Sequence, residues 1–214
     1  GFMGCYAGFS GIRAADDIVR ADPGAVVLQV AVELCTLHLQ KDEGTETLVS
    51  NLLFADGAAA AVYRAANAPA AAPARARVRG TASRLAPDTE SQMSWRIGDH
   101  GFVMRLSADV PRHLESSVAP FVEELARASG IDRRDVQRYA VHPGGRRVLD
   151  ATRDAPRVEE DAMAASRSVL ADYGNMSSAT ILFVLDRALD GATGPLVALG
   201  FGPGLTLEGA VFES

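Results

Sequence analysis

Three short stretches of this chain carry side chains that can do chemistry. Gly4-Cys5-Tyr6-Ala7-Gly8 offers a thiol close to the first residue. His142-Pro143-Gly144-Gly145 offers an imidazole, and Gly174-Asn175-Met176-Ser177-Ser178 a carboxamide. A thiolate, an imidazole and an amide donor converging on one acyl group can form carbon–carbon bonds on thioesters. A nucleophile so near residue 1 also leads us to expect that part of the protein lies upstream.

Each residue has a plainer reading as well. A free thiol is mostly protonated at neutral pH, and only the thiolate attacks a thioester. The start of a helix offers unpaired N–H groups and a positive dipole end that favour the anion. Small neighbours let a substrate come close to Cys5. The plainer alternative is a buried cysteine acting as a small hydrophobe. His142 ends a strand, and Gly144 and Gly145 clear side chains from the region a substrate must enter. An imidazolium there would hold the thiolate as an ion pair. His100 and His113 read as ordinary hydrogen-bonded histidines. Asn175 is either a helix cap or a neutral donor to an enolate or oxyanion. Gly200-Phe201-Gly202-Pro203-Gly204 lacks the lysine of a phosphate loop and leads into a strand, so it reads as a tight turn beside the site rather than a dinucleotide cradle.

The elements that must position these groups alternate. Apolar residues at helical spacing run over 5–21, and Asp22-Pro23-Gly24 stops them. Residues 25–34, rich in valine, predict a strand buried on both faces. Residues 40–47 read as a polar loop, followed by Leu48 to Phe54 and the apolar run 58–63. The alanine- and proline-rich stretch 65–76 has no periodicity and reads as a linker. Strands are expected at 76–85, 102–106, 138–142, 196–201 and 205–212, and helices at 111–128, 158–170 and 177–189. This alternation predicts an α/β architecture. Gly4-Cys5 and Gly174-Asn175 each open an apolar helix followed by a strand, an echo that predicts duplicated halves about a pseudo-twofold axis.

Composition sets outer limits. With 48% hydrophobic and 22% charged residues, the chain is an ordinary globular sequence. A net charge of −6 with interspersed signs argues against a nucleic-acid partner. There is no signal peptide pattern and no apolar run long enough to span a bilayer, so no membrane is expected. Cys5 and Cys35 are expected to be free thiols in a reducing cytoplasm.

Together these motifs resemble the chalcone synthase family, the type III polyketide synthases of the thiolase-like superfamily. The resemblance rests on the cysteine helix, Phe54-Ala55-Asp56-Gly57-Ala58, the His142 and Asn175 motifs and Gly200 to Leu205. It implies two pseudo-twofold-related halves with mixed five-stranded sheets, the N-terminal half incomplete. Residues 1–69 would be the remainder of that half, carrying the nucleophile, and 76–214 the C-terminal half, carrying His142 and Asn175. It implies that Cys5 takes an acyl starter from coenzyme A, and that a malonyl thioester loses carbon dioxide with His142 and Asn175 stabilising the enolate. The carbanion then attacks the bound acyl group, and the cycle repeats before cyclisation. Coenzyme A thioesters are the implied substrates, with no metal or redox cofactor, and the implied assembly is a homodimer.

Phe54 aligns with a family phenylalanine guarding the junction of the coenzyme A tunnel and the cavity, a role compatible with core packing. Met104 stands where plant enzymes carry a second gate phenylalanine. Cys35 and His38 occupy stretches where plant enzymes have threonines, and Trp95 would narrow the same space. These departures look like a bacterial member. The nearest rival reading is a 3-oxoacyl-acyl carrier protein synthase III-type enzyme, which takes malonyl groups from a carrier protein. A reading of another class is a catalytically silent fragment acting only as a dimerisation partner.

Overall fold

The computed structural model describes residues 3–41, 44–68, 73–98 and 101–214. The chain enters through a 3-10 turn, Gly4–Tyr6, into helix α1, Ala7–Ala21. Strand β1, Val26–Glu33, follows, then a second 3-10 turn, Cys35–His38, helix α2, Thr45–Leu53, and strand β2, Gly57–Arg64. The second part begins with β3, Arg77–Leu85, and a hairpin of β4, Met93–Gly98, and β5, Gly101–Leu106. Helix α3, Val110–Ala128, strand β6, Arg138–Val141, and helix α4, Arg146–Asp154, come next. A 3-10 turn, Glu160–Met163, leads into α5, Ala164–Tyr173, and another, Ser177–Ala179, into α6, Thr180–Ala188. Strands β7, Pro195–Gly202, and β8, Thr206–Glu213, close the chain.

Among the described residues, β3, β8, β7 and β6 form a mixed four-stranded sheet in that order, with β6 parallel to β7 and the other pairs antiparallel. Its period-two pattern is apolar on both faces, so both faces must be covered. Val197, Leu199, Phe201, Leu207 and Val211 pack with α3 and α4. Leu196, Ala198, Ala210 and Phe212 pack on the other side with α1 and α6. The same helix layer covers one face of the antiparallel pair β1–β2 through Ala31, Ala59, Ala61 and Tyr63. Each fully buried leucine or phenylalanine in these layers contributes roughly 1.5–3 kcal/mol of transfer free energy. α3 follows its sequence pattern, with Pro111 in its first turn and Leu114, Val118, Phe121, Val122 and Leu125 buried.

The internal echo is a structural repeat. Turn Gly4–Tyr6, α1, β1 and β2 match turn Ser177–Ala179, α6, β7 and β8 in order and in strand direction. Gly4 and Gly174 both hold positive φ, 64° and 74°, a conformation a side chain would strain.

Several expectations change. β1 is buried on one face, not two: Val26, Leu28, Val30 and Val32 are 60–69% exposed, because no described element lies against that side. Helix α2 begins at Thr45, inside the stretch read as loop, and α4 occupies Arg146–Asp154, where no element was expected. Both helices are short and carry many polar residues, so their apolar periodicity is faint. Strand β4 was also not anticipated. The expected helix at 158–170 starts only at Ala164, after the positive φ of 55° at Arg157 and a 3-10 turn. Residues 69–72 of the expected linker lie outside the described residues, as do Asp99 and His100. No described helix is long and apolar enough to cross a membrane.

The outer face of β1–β2 is a contiguous apolar surface, the kind that drives association. Leu28 and Val62 are cross-strand partners on it, 62% and 65% exposed. This chain alone should therefore bind an apolar fluorescent dye and self-associate. Replacing the pair as Leu28→Lys with Val62→Glu should cut dye binding severalfold while leaving the far-ultraviolet circular dichroism unchanged. Dye binding equal to that of the parent chain would show that this face is not free.

Candidate active site

Cys5 sits in the turn before α1, 5% exposed. Two glycines of β7 let that turn and helix approach the sheet. A Cβ on Gly200 would lie 2.3 Å from the Phe9 ring, and one on Gly202 2.1 Å from the Tyr6 ring. The glycine-rich segment thus gives close backbone passage beside the thiol, as its sequence implied. On the other side of α1, a Cβ on Gly8 would meet the Ser178 carbonyl oxygen at 2.7 Å. This brings the Asn175 turn against the cysteine turn.

Asn175 is fixed by its own backbone. Its N–H donates to Leu53 O at 2.9 Å and its carbonyl accepts from Ala55 N at 2.9 Å, so it pairs with the chain around Phe54. Its side chain combines the two readings offered by the sequence. Oδ1 accepts from Ser177 N at 2.9 Å, a cap on the following turn, while Nδ2 lies 3.9 Å from Cys5 Sγ.

His142 follows the last residue of β6. Its backbone N–H donates to Leu199 O at 2.8 Å, and its carbonyl accepts from Gly144 N at 3.0 Å. The ring is 1% exposed, and neither ring nitrogen has a hydrogen-bond partner among the described residues.

The three groups line one small cavity, together with Phe54, Met104 and Phe201. Among the described residues, no aspartate, glutamate, lysine or arginine borders it. Burial governs its electrostatics. The Cys5 thiol is pushed up to about 11, chiefly by loss of water, with hydrogen bonds from Asn175 and Ser177 opposing and the Glu33 charge adding. Burial alone pushes His142 down to about 4. Burial thus disfavours both the thiolate and the imidazolium, and so works against the ion pair expected from sequence. Desolvation outweighs the helix-start contribution at this depth.

Phe54 and Met104 also border a larger cleft of about 490 Å³, which Cys35 and His38 line as well. The Cys35–His38 turn is anchored by Asp56, which accepts from Thr36 N at 2.8 Å and from Thr36 Oγ1 at 2.7 Å. Burial and the Glu33 charge push the Cys35 thiol up to about 12. Both cysteines are free. Gly144 borders the small cavity, whereas Gly145 faces Leu53 from outside it. Trp95 pairs with Met104 across the β4–β5 hairpin, but its side chain lies outside the described residues.

Sequence reasoning missed Glu33, Met93, Ser177 and Phe201 as site residues. Glu33 ends β1 inside the larger cleft and accepts from both Ser178 N, at 3.3 Å, and Ser178 Oγ. It is the one charged residue in the run 25–34, and that was the available signal. Met93 and Phe201 look like any core residue in sequence.

Residues 77–214 match the family model for the C-terminal domain of chalcone and stilbene synthases, and residues 1–67 match that for the N-terminal domain. The chain belongs to the chalcone and stilbene synthase family, the type III polyketide synthases. It is 33% identical to the alpha-pyrone synthesis polyketide synthase-like Pks18 of Mycobacterium tuberculosis over 99% of this chain and 56% of that protein. It is 39% identical to the 1,3,6,8-tetrahydroxynaphthalene synthase of Streptomyces coelicolor over 96% of this chain and 55% of that protein. The crystal structure of that synthase superposes with a TM-score of 0.89 at 36% identity, covering 99% of this chain and 61% of its own. The type III polyketide synthase domain of Steely1 from Dictyostelium superposes with a TM-score of 0.93 at 30% identity, over 100% of this chain and 60% of its own. The fold is thus thiolase-like α/β, and the chain spans little more than half the length of these relatives.

The raised Cys5 thiol has a direct consequence. Only thiolate reacts with iodoacetamide, so Cys5 alkylation, followed by peptide mass mapping, should be slow at pH 7. It should rise about tenfold per pH unit past the ordinary thiol range, toward an inflection near 11. An inflection at or below pH 7 would mean that His142 holds a preformed thiolate.

Proposed function

We propose that a polypeptide of the relatives' length carrying this chain is a type III polyketide synthase, condensing malonyl-CoA onto an acyl group held on Cys5. What supports this reading most is the shared cavity, in which thiol, imidazole and carboxamide border one apolar space with no acidic or basic side chain among the described residues. In the loading step, Sγ attacks the thioester carbonyl of an acyl-CoA as His142 takes the thiol proton. The coenzyme A thiolate leaves and recovers a proton from the imidazolium. The acyl group then sits on Sγ with both residues neutral.

Malonyl-CoA next presents its thioester oxygen to a ring N–H of His142 and to Asn175 Nδ2. Its carboxylate meets an apolar wall of Phe54, Met104 and Phe201, where charge is poorly solvated. Loss of carbon dioxide removes the carboxylate and leaves the enolate, whose oxygen the two donors stabilise. Preorganised donors at a developing oxyanion are worth about 10²–10³ in rate each. The enolate carbon attacks the acyl carbonyl on Sγ and expels the cysteine thiolate, which takes up one proton from solvent to restore the thiol, and the product leaves as a coenzyme A thioester two carbons longer. This cycle balances without a resident cofactor. The larger cleft past Phe54 and Met104, with Cys35 and His38 on its wall, accommodates the lengthening chain. A homodimeric assembly and a cytoplasmic setting belong to the same proposal. The relatives named above favour this reading over a carrier-protein-dependent 3-oxoacyl synthase.

Purified polypeptide, malonyl-CoA and a panel of acyl-CoA starters should yield polyketide products by mass spectrometry without any carrier protein. Strict dependence on a carrier protein would replace the proposal with its rival. Cys5→Ala should abolish condensation yet retain some malonyl decarboxylation; undiminished products would remove the covalent step. Asn175→Asp keeps an acceptor for Ser177 N but sets a negative charge beside the enolate, so decarboxylation should fall at least 100-fold, the scale of one lost oxyanion donor. Retained activity would reduce Asn175 to a cap.

A further inference from the structure

His142 presents a problem of orientation. A working imidazole is ordinarily aimed by a hydrogen bond to its second nitrogen, yet both ring nitrogens here lack a partner among the described residues. Its direction must therefore come from packing and from the backbone that carries it. Two anchors hold that backbone. On the inner side, His142 N donates to Leu199 O of β7 at 2.8 Å. On the outer side the preceding amide, Val141 N, points away from β7, because donors alternate along a strand.

Among the described residues β6 is the outermost strand of its sheet, so that amide has no neighbouring strand there to pair with. Val141 is 0% exposed, so water cannot satisfy the amide either. The hydroxyl of Ser166 on α5 accepts from it at 2.8 Å, and Ser166 is itself 0% exposed. Serine is an odd choice there by local rules. The surrounding helix start is alanine-rich, with Ala162, Ala164 and Ala165 just before it, and alanine is the better helix former in a buried position. Ser166 lands opposite the Val141 amide, one residue before the imidazole.

We propose that Ser166 is a positioning residue for His142: its hydroxyl pins the free edge of β6 one residue before the imidazole and so sets where the ring points in the cavity. This rests on the polyketide synthase reading above, in which His142 takes the thiol proton and donates to the malonyl thioester oxygen. Without the hydroxyl, the strand end rotates to find another partner, and the ring leaves the line to Sγ and the enolate oxygen. Cys5 and Asn175 stand on other elements and keep their places.

The test compares Ser166→Ala with Val169→Ala, an equally buried change on the same helix, in a polypeptide of the relatives' length. Per folded molecule, Ser166→Ala should lower kcat for malonyl-CoA decarboxylation about tenfold or more. KM and the Cys5 alkylation rate should stay within about twofold of the parent. Val169→Ala should lower the melting temperature but not kcat. Hydrogen exchange should show the Val141 amide exchanging at least tenfold faster in Ser166→Ala, with the Ala198 amide of β7 unchanged. Equal kcat for the two variants, or unchanged Val141 exchange, overturns the role of Ser166. A parent protein that exchanges as described yet never turns over malonyl-CoA leaves the hydroxyl contact intact and overturns the function reading instead.

Discussion

Burial of two ionisable groups that have no charged partner is the constraint on which this site depends. Cys5 and His142 are 5% and 1% exposed, and the cavity between them is bordered otherwise by apolar side chains and one carboxamide. Water would lower the cost of either charge, but it would also quench a carbanion. An apolar cavity disfavours both charges until a substrate supplies the reason to move a proton. The carboxamide suits such a space because it donates without carrying charge. Its oxygen accepts from Ser177 N, and oxygen and nitrogen both lie 3.9 Å from Sγ.

The cavity can exist only because two repeated units meet closely. The thiol begins one helix and the amide precedes the other, and the repeat places both helix starts at the same junction. Glycines set the approach distances. Gly8 admits the Ser178 carbonyl, Gly200 and Gly202 admit the rings of Phe9 and Tyr6, and a Cβ on Gly57 would meet Met176 Sδ at 2.6 Å. Overpacking at such points typically costs 1–3 kcal/mol. It would also part the thiol from the amide, so these glycines serve stability and chemistry through one contact.

Much of this was legible in the sequence, for identifiable reasons. Cys5, His142 and Asn175 stood out because each lies within two residues of a glycine, and their surroundings signal turns at element ends. α3 was legible because Leu114, Val118, Phe121, Val122 and Leu125 keep helical period over about three turns. α4 was not, since Val148, Leu149 and Ala151 are too few to set a period among arginines and aspartates. The valine-rich run of β1 misled because continuous apolar character normally means two covered faces. Here the alternate residues Val26, Leu28, Val30 and Val32 lie open. The burial that disfavours charge on Cys5 and His142 was beyond reach, because depth is a property of the packed layers and not of the motifs.

The central claim is that Cys5 is the acyl acceptor in a cavity it shares with His142 and Asn175. The most direct check is intact-protein and peptide mass spectrometry after brief exposure to a single acyl-CoA without malonyl-CoA. The account predicts one acyl mass added, mapped to the peptide containing Cys5, and its loss in Cys5→Ala. An unmodified Cys5, or an acyl group found on Cys35 instead, would contradict it.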